Sequence, residues 1–569
     1  MKRKQLNAVI VFALLLACLG FNFEFPTSAQ TERPRSAPTP TPKVSPTAKT
    51  APTLKISPSL TPSASPTPTA TPTPTPLQFS TLPELQAKIQ TVLARPELRR
   101  GNIGVKIVSL DTNKIIYEQN AEKYLMPASN MKSYTVAAAI EKLSPDFRFV
   151  TSVYAFAPPD ASGTIKGDLT VYGRGDVSIS YTFNDDDYYK GLDALADKIV
   201  AAGVKRIEGN LIGDETYFSG GAIPNGWEWD DLQWKSGAEI SALPLNDNLL
   251  NLSIKPGSIS GAPCVVLVLP INPVSRIVNR CTTAATGAAR TLKVEKKLAQ
   301  NILEISGAIP AGDNGFNNFI TVSHTAELFT ALLKQRLQVK GVIVTGQARV
   351  FGAAEKTALI AQTRLPYVEI TKLESPPLSH IAAKTLKPSQ NTYTETILWT
   401  LGEEIGRKQP ATGANNFNQD LSNRTSSELG LNVVGRFLDE IGLPPDSIVQ
   451  WDGSGLSRHN LITPASAAAL YTYMSKSRYA QVWRDALTVG AVDGTLKNRF
   501  KGTIAANNVR GKTGTIDQVS SLSGYVTTLA GERMVFSIIV NGVEENQLRQ
   551  ATIDEIVVAL AGLRAKSNL

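Results

Sequence analysis

The chain has 569 residues, with 58 Lys and Arg against 49 Asp and Glu and 42% apolar residues, which is the balance of a folded protein of more than one domain. Three cysteines in this length exclude a small disulfide scaffold. The net charge of +9 does not indicate a nucleic-acid partner, because residues 1–76 carry eight basic and two acidic groups and leave 50 against 47 for the rest.

The chain opens Met1-Lys2-Arg3-Lys4, runs apolar from Ala8 to Phe21, and reaches Thr27-Ser28-Ala29 before Gln30. That order of basic, apolar and small residues reads as a signal peptide over 1–29. Two alternatives stay open, a retained membrane tether through residues 5–22 and lipid attachment at Cys18. In each case the bulk of the protein is exported, to the periplasm or cell envelope at the outer face of the cytoplasmic membrane. The exported part keeps only Cys264 and Cys281, a disulfide candidate in such a compartment, with two buried free thiols as the other reading. Neither a C-x-x-C spacing nor a histidine cluster accompanies them, so we expect no metal and no cofactor.

Residues 30–76 read as a linker. From Arg33 to Pro76 there are 13 prolines and 11 threonines, too little apolar surface for a core and a composition that favours an extended spacer of ~3.1 Å per residue. The folded region begins at Thr81-Leu82-Pro83-Glu84, a capping threonine with an early proline and apolar spacing through Leu85, Ile89 and Leu93, which predicts a helix. Two β-branched runs, 103–108 and 114–117, flank Asp111-Thr112-Asn113 and predict a hairpin. An Ala-rich helix follows over 129–143, ending before Pro145. From 149 to 368 the pattern changes to short β-branched stretches broken by Gly, Asn, Asp and Pro, with helices near 190–202 and 325–336, which we read as one or two mostly-β insertions. Helical character returns at 379–385, 391–407, 432–441 and 465–476, followed by strands at 511–515, 523–528 and 533–540 and a helix over 551–564. Residues 77–148 and 369–569 are thereby expected to form one domain split by the insertion.

Three short elements carry chemistry. Ser129 and Lys132 lie three apart at a predicted helix start, so one turn brings the hydroxyl and the amine to one face. An amine kept neutral there can take the hydroxyl proton. Ser389-Gln390-Asn391, just before a helix, offers a second hydroxyl as proton relay and an amide for a substrate carbonyl. Lys512-Thr513-Gly514-Thr515 opens a strand whose cation and hydroxyl suit a carboxylate, while Gly514 leaves room for a substrate along the strand edge. Each is common alone, as a surface helix, an N-cap or a β-turn, and it is the order of the three that carries weight.

The set Ser-x-x-Lys, Ser-x-Asn, Lys-Thr-Gly resembles the serine penicillin-recognising enzymes. The long gap from Ser129 to Ser389 resembles one branch of them, the low-molecular-mass class C D-alanyl-D-alanine carboxypeptidases/endopeptidases. So do Gly167-Asp168-Leu169, Gly173-Arg174-Gly175-Asp176, Leu245-Asn246-Asp247-Asn248 and Asp452-Gly453-Ser454-Gly455. The resemblance implies an α/β (α+β) fold of the β-lactamase/transpeptidase type, an antiparallel sheet flanked by helices, with the mostly-β part inserted. It implies peptidoglycan stem peptides and cross-links as substrates and β-lactams as covalent inhibitors. Ser129 would be the nucleophile, Lys132 the base and Ser389 the proton shuttle. Asn391 would orient the substrate amide, and Lys512 with Thr513 would hold its terminal carboxylate. The backbone N–H groups of Ser129 and Thr515 would form the oxyanion hole. Arg458 and Asp231 match positions that meet the peptide's diamino acid, and Asp517 stands where some relatives have glutamine. Two other readings stand beside this one. A β-lactamase would use Glu428 in Glu428-Leu429-Gly430-Leu431-Asn432, which reads more simply as a helix first-turn acid. A non-catalytic penicillin-sensing or wall-binding protein would not need Ser129, Lys132, Ser389 and Lys512 all intact. The histidines, His324, His380 and His459, accompany no Gly-x-Ser-x-Gly turn and are not read as catalytic.

Overall fold

A computed structural model describes residues 78–352, 367–408 and 423–567. The signal, tether and linker readings over 1–76 fall outside the described residues.

Helix α1 (Leu82–Leu93) starts in a full capping box. Thr81 accepts from the Glu84 backbone, and the Glu84 side chain reaches back to the Thr81 N–H. Strands β1 (Asn102–Ser109) and β2 (Ile115–Gln119) form the expected hairpin, and α2 (Lys132–Leu143) follows a 3₁₀ turn over Ala128–Met131. Ser129 therefore sits on that tight turn and not inside the α-helix. The physical reason is Ala128, whose φ of +48° lies in the left-handed region and breaks the helical path before it starts.

The inserted region leaves by β3 (Val150–Ala155) and continues through β4 (Leu169–Tyr172), α3 (Lys190–Ala201), β5 (Leu211–Asp214), β6 (Leu249–Lys255), β7 (Val265–Leu269), β8 (Phe316–Thr321), α4 (Thr325–Val339) and β9 (Ala348–Phe351). It returns by β10 (Val368–Glu374). Strand β10 pairs antiparallel with β3, so the way out and the way back are zipped together at one edge of the sheet β9-β5-β4-β3-β10. The two helices cover this sheet with the apolar stripes Leu192, Leu195, Ile199 and Leu328, Leu332, Leu333, all fully buried.

Strands β6 and β7 form a three-stranded sheet with β8. The Cys264–Cys281 disulfide ties the residue just before β7 to a residue between two shorter strands that follow it, with Cα atoms 5.3 Å apart and 17 residues of separation. A loop of this size cross-linked in the unfolded chain is worth about 3 kcal/mol. Replacing both cysteines by alanine is expected to lower the stability of the inserted region by that amount, read as an earlier thermal transition that reductant also produces in the parent and no longer affects in the variant.

After the return come α5 (Leu378–Leu386), α6 (Asn391–Leu401) ending in a π-turn at Gly402–Gly406, α7 (Ser426–Glu440), α8 (Pro464–Lys476) and α9 (Ala480–Ala486). Strands β11 (Thr488–Val489), β12 (Arg510–Ile516), β13 (Val519–Thr527) and β14 (Arg533–Asn541), then α10 (Asn546–Ala561), complete the chain. Helices α7 and α10 begin six and five residues before their expected starts. For α7 the cause is a capping box between Thr425 and Glu428.

Strands from the two ends of the chain build one antiparallel sheet, β2-β1-β14-β13-β12-β11. Alternation along β14 divides the core. Phe536, Ile538 and Val540 pack toward α1 and α10, while Val535 and Ile539 pack toward α2 and α8. This sheet between helical layers is the α/β arrangement the motifs imply. Its outer strand β12 is covered by β11 only at Arg510 and Gly511, so from Lys512 onward the edge has no strand partner among the described residues.

Candidate active site

The open edge of β12 faces the 3₁₀ turn of Ser129 across a cleft of about 580 Å³. Ser129, Ser389, Asn391, Thr513 and Thr515 line it, so five sequence-predicted residues from three separate segments meet in one place.

Lys132 is fully buried beneath Ser129 and has three hydrogen-bond partners. Its Nζ lies 3.0 Å from Ser129 Oγ, 2.6 Å from Asn391 Oδ1 and 2.6 Å from the carbonyl of Ser454. Burial brings its pKa down to about 7, against a smaller opposing pull from Asp452 and Glu395. In the neutral amine, the two acceptors without hydrogens to give, Asn391 Oδ1 and the Ser454 carbonyl, take the two N–H bonds. The lone pair is left facing the Ser129 hydroxyl.

Lys512 is buried as well, donating to Ser389 Oγ at 2.9 Å and to the Thr513 carbonyl at 2.7 Å. Burial first and the neighbouring Lys132 second hold its pKa well below the usual lysine range. Ser389 has φ +67°, a left-handed conformation that a non-glycine residue adopts only where its surroundings hold it. Thr513 Oγ1 donates to Thr495 Oγ1 at 2.7 Å.

Gly514 explains why this strand lies so near the turn. A Cβ at that position would stand 2.3 Å from the Pro127 carbonyl oxygen and 3.0 Å from the Ser129 nitrogen. Only a residue without a side chain lets β12 come into contact with the backbone that carries the nucleophile. Asn130 locks the same turn from behind by donating to Ser521 Oγ at 2.6 Å, and Ser521 donates to the Pro127 carbonyl at 2.7 Å. Neither residue was picked out from sequence, and the Ser-x-x-Lys spacing alone contains no signal for them.

One wall of the cleft comes from the inserted region. Ser236 and Lys235 line it, and the Ser236 carbonyl accepts from Asn391 Nδ2 at 2.9 Å. The segment is pinned from behind, since the Leu232 carbonyl accepts from Thr321 Oγ1 at 2.6 Å and Gln233 exchanges hydrogen bonds with Val294 and Lys296. A second tie runs through Asn246-Asp247-Asn248, three consecutive residues at φ +48°, +59° and +60°. Their conformation aims the buried Asp247 carboxylate at Gln390 Nε2, 2.7 Å away, at Ser180 Oγ, 2.8 Å away, and at the Tyr393 hydroxyl.

Arg458 lies at the rim. It pairs with Glu228 at 2.9 Å, and Asp517 approaches it at 3.6 Å. Asp231 is half-buried on the same segment as Glu228, its pKa raised by burial and by Asp230 and Glu228. The acid that the structure places directly on Arg458 is therefore Glu228, which stands next to the positions considered from sequence. Glu428 is engaged in the α7 capping box, where its carboxylate accepts from the Thr425 N–H at 2.9 Å.

The sequence profile of the D-Ala-D-Ala carboxypeptidase 3 (S13) family matches residues 85–563. The chain is 32% identical over 491 residues to a D-alanyl-D-alanine carboxypeptidase of Actinomadura sp. (strain R39), covering 84% of this chain and 85% of that one. It is 24% identical over 460 residues to the D-alanyl-D-alanine carboxypeptidase DacB of Haemophilus influenzae, covering 79% and 88%. The crystal structure of penicillin binding protein 4 (dacB) from Haemophilus influenzae shares the fold, with a TM-score of 0.68 at 23% identity over 85% of this chain and 98% of that one.

Proposed function

The chain belongs to the D-Ala-D-Ala carboxypeptidase 3 (S13) family, and from that premise we propose how its cleft performs serine D-alanyl-D-alanine carboxypeptidase and endopeptidase chemistry. The observation that carries the reading is the lysine amine 3.0 Å from Ser129 Oγ with its other hydrogen-bonding capacity already taken.

Lys132 removes the proton from Ser129 Oγ as the oxygen attacks the carbonyl of the penultimate D-alanine. The negative oxygen that forms is met by the N–H groups of Ser129 and Thr515, an arrangement worth about 10²–10³ in rate per donor. Lys512 and Thr513 hold the carboxylate of the departing residue, and Asn391 orients the amide before the scissile bond. As the C–N bond breaks, Ser389 passes a proton to the leaving amine, and Lys512 keeps its hydroxyl in place at 2.9 Å. Water then cleaves the ester and restores Ser129. A cross-link differs only in what leaves, so one acyl-enzyme serves both activities. β-Lactams enter the same step and stay attached because their leaving group remains tethered.

Further parts of the reading concern setting. Residues 77–148 and 369–569 form the catalytic domain and 149–368 the insertion, which adds a wall to the cleft. The protein is exported through residues 1–29 and works at the periplasmic or envelope face, with residues 30–76 as spacer and residues 5–22 as a tether if they are retained. Arg458, with Glu228 and Asp231, meets the diamino acid of the stem peptide.

The test is release of D-alanine from a pentapeptide ending in D-Ala-D-Ala, and opening of cross-linked dimers, by the purified protein across a pH series. Both activities are expected, both stopped by penicillin. The acylation rate should rise with unit slope at low pH and level off above a midpoint near pH 7, because only the neutral form of Lys132 accepts the proton. A flat profile, or penicillin hydrolysed without lasting label, would sink the assignment.

A further inference from the structure

Two carboxyl groups lie beneath Lys132 without reaching the cleft. Glu395 and Asp452 are both 0% exposed, and since burying a carboxylate is costly, their partners show what they accomplish. Asp452 accepts the N–H groups of Gly455 and Ser457 at 2.7 and 2.8 Å, Asn460 Nδ2 at 2.8 Å and the Trp227 indole at 2.9 Å. It folds the 452–460 loop on itself and fastens it to the segment that precedes the cleft wall.

Glu395 has a different set of partners. Its Oε2 accepts the Gly453 N–H at 3.0 Å and its Oε1 the Ser454 N–H at 2.6 Å. The carbonyl of that same Ser454 is one of the two acceptors that hold Lys132 Nζ, at 2.6 Å. The other is Asn391 Oδ1, one helical turn before Glu395 on α6. Helix α6 thus supplies one acceptor directly and fixes the loop that supplies the other. Gly455 continues the contact, for a Cβ there would stand 1.9 Å from the Ala128 carbonyl at the start of the nucleophile turn.

We infer that Glu395 is a positioning residue for the base: it aims the Ser454 carbonyl at Lys132 Nζ, so that the loop and Asn391 together occupy the amine's hydrogens and leave its lone pair for Ser129. This rests on the reading of Lys132 given above. A carboxylate fits the task because both of its oxygens accept. A glutamine of the same size would keep one acceptor and turn an NH₂ toward the second backbone N–H, pushing Ser454 away from the lysine. The titratable groups facing Lys132 are Glu395 from α6, Asp452 from the loop and Lys512 from β12. Burial and the neighbouring Asp452 raise the pKa of Glu395 to about 8, so the effect of replacing it is read in the rate and not in the position of the acid limb near pH 7. A purely structural role would reduce the fraction of molecules that can be labelled and leave the rate constant of the folded ones where it was.

The experiment compares the full chain with Glu395→Gln and Glu395→Asp, following the second-order rate of labelling by a fluorescent penicillin across the pH series, with thermal melts alongside. Glu395→Gln is expected to fold, to label about 10- to 100-fold more slowly on the plateau, and to reach the parental final extent of labelling. Glu395→Asp keeps the carboxyl group and should restore an intermediate rate. A parental rate constant in Glu395→Gln would overturn the inference. Failure of both variants to fold while Asp452→Asn folds would overturn it too, by assigning Glu395 to stability alone. An unlabelled parent would instead remove the catalytic reading beneath it.

Discussion

Replacing Ser129 by alanine should abolish covalent labelling by penicillin and cut D-alanine release by on the order of 10⁴–10⁶-fold, the loss expected when a nucleophile that works as a unit with its base is removed. The variant should fold. The Ser129 side chain faces the cleft and donates nothing to the core, and the amine it leaves behind keeps Asn391 and Ser454 as partners. Its thermal transition is therefore expected within about 1 kcal/mol of the parent's stability, and non-covalent binding of a D-Ala-D-Ala peptide should survive. Labelling at parental rate by Ser129→Ala would place the nucleophile elsewhere and undo the whole arrangement. Loss of labelling together with loss of folding would leave the measurement to Ser129→Cys, whose thiol fills the same space and titrates in its own range.

Gly514→Ala is expected to have the next largest effect, without touching any reacting group. The added methyl would stand 2.3 Å from the Pro127 carbonyl oxygen and 2.3 Å from Ser521 Oγ. The carbonyl is backbone, held by the Ser521 hydroxyl, so the strand must back away. A shift of roughly 1 Å separates the Thr515 N–H from that of Ser129, and losing the alignment of one oxyanion donor costs about 10²–10³ in rate. Acylation by penicillin should fall by about the same factor, because it passes through the same tetrahedral species. Gly531→Ala is the control, since a Cβ there meets nothing within 4 Å; its positive φ brings modest strain far from the cleft and should leave the rate alone.

Much of this site was legible because its chemistry resides in side chains at fixed spacings. Ser129 and Lys132 meet as one helical turn requires, whereas the contact of Lys512 with Ser389 is a product of the fold. The alternation along β14 was equally readable, since a strand with apolar residues on both faces must lie between two layers. What stayed hidden depends on backbone atoms and on long-range packing. The Ser454 carbonyl has no residue identity of its own, and its trace in the sequence is the pair Gly453 and Gly455 on either side. Glu395 reads as an ordinary helical acid until the loop it holds is known. The pairing of Glu228 with Arg458 has no signal in sequence, because three acids within four residues look alike before the chain turns and one of them reaches Arg458. The late expected starts of α7 and α10 reflect the polar first turns of both helices, where caps and side-chain bonds replace apolar periodicity.

The left-handed run Asn246-Asp247-Asn248 sets a limit on engineering this protein. A designer wishing to shorten it would excise the inserted residues and splice β3 to β10, whose paired ends stand ready to be joined. The excised piece would take with it the carboxylate that holds Gln390 and the carbonyl that holds Asn391. Such a minimal enzyme would keep every signature residue and still lack the grip that orients the amide of its own Ser-x-Asn element. The insertion is better treated as a buttress of the Ser389-Gln390-Asn391 segment that happens to be encoded in the middle.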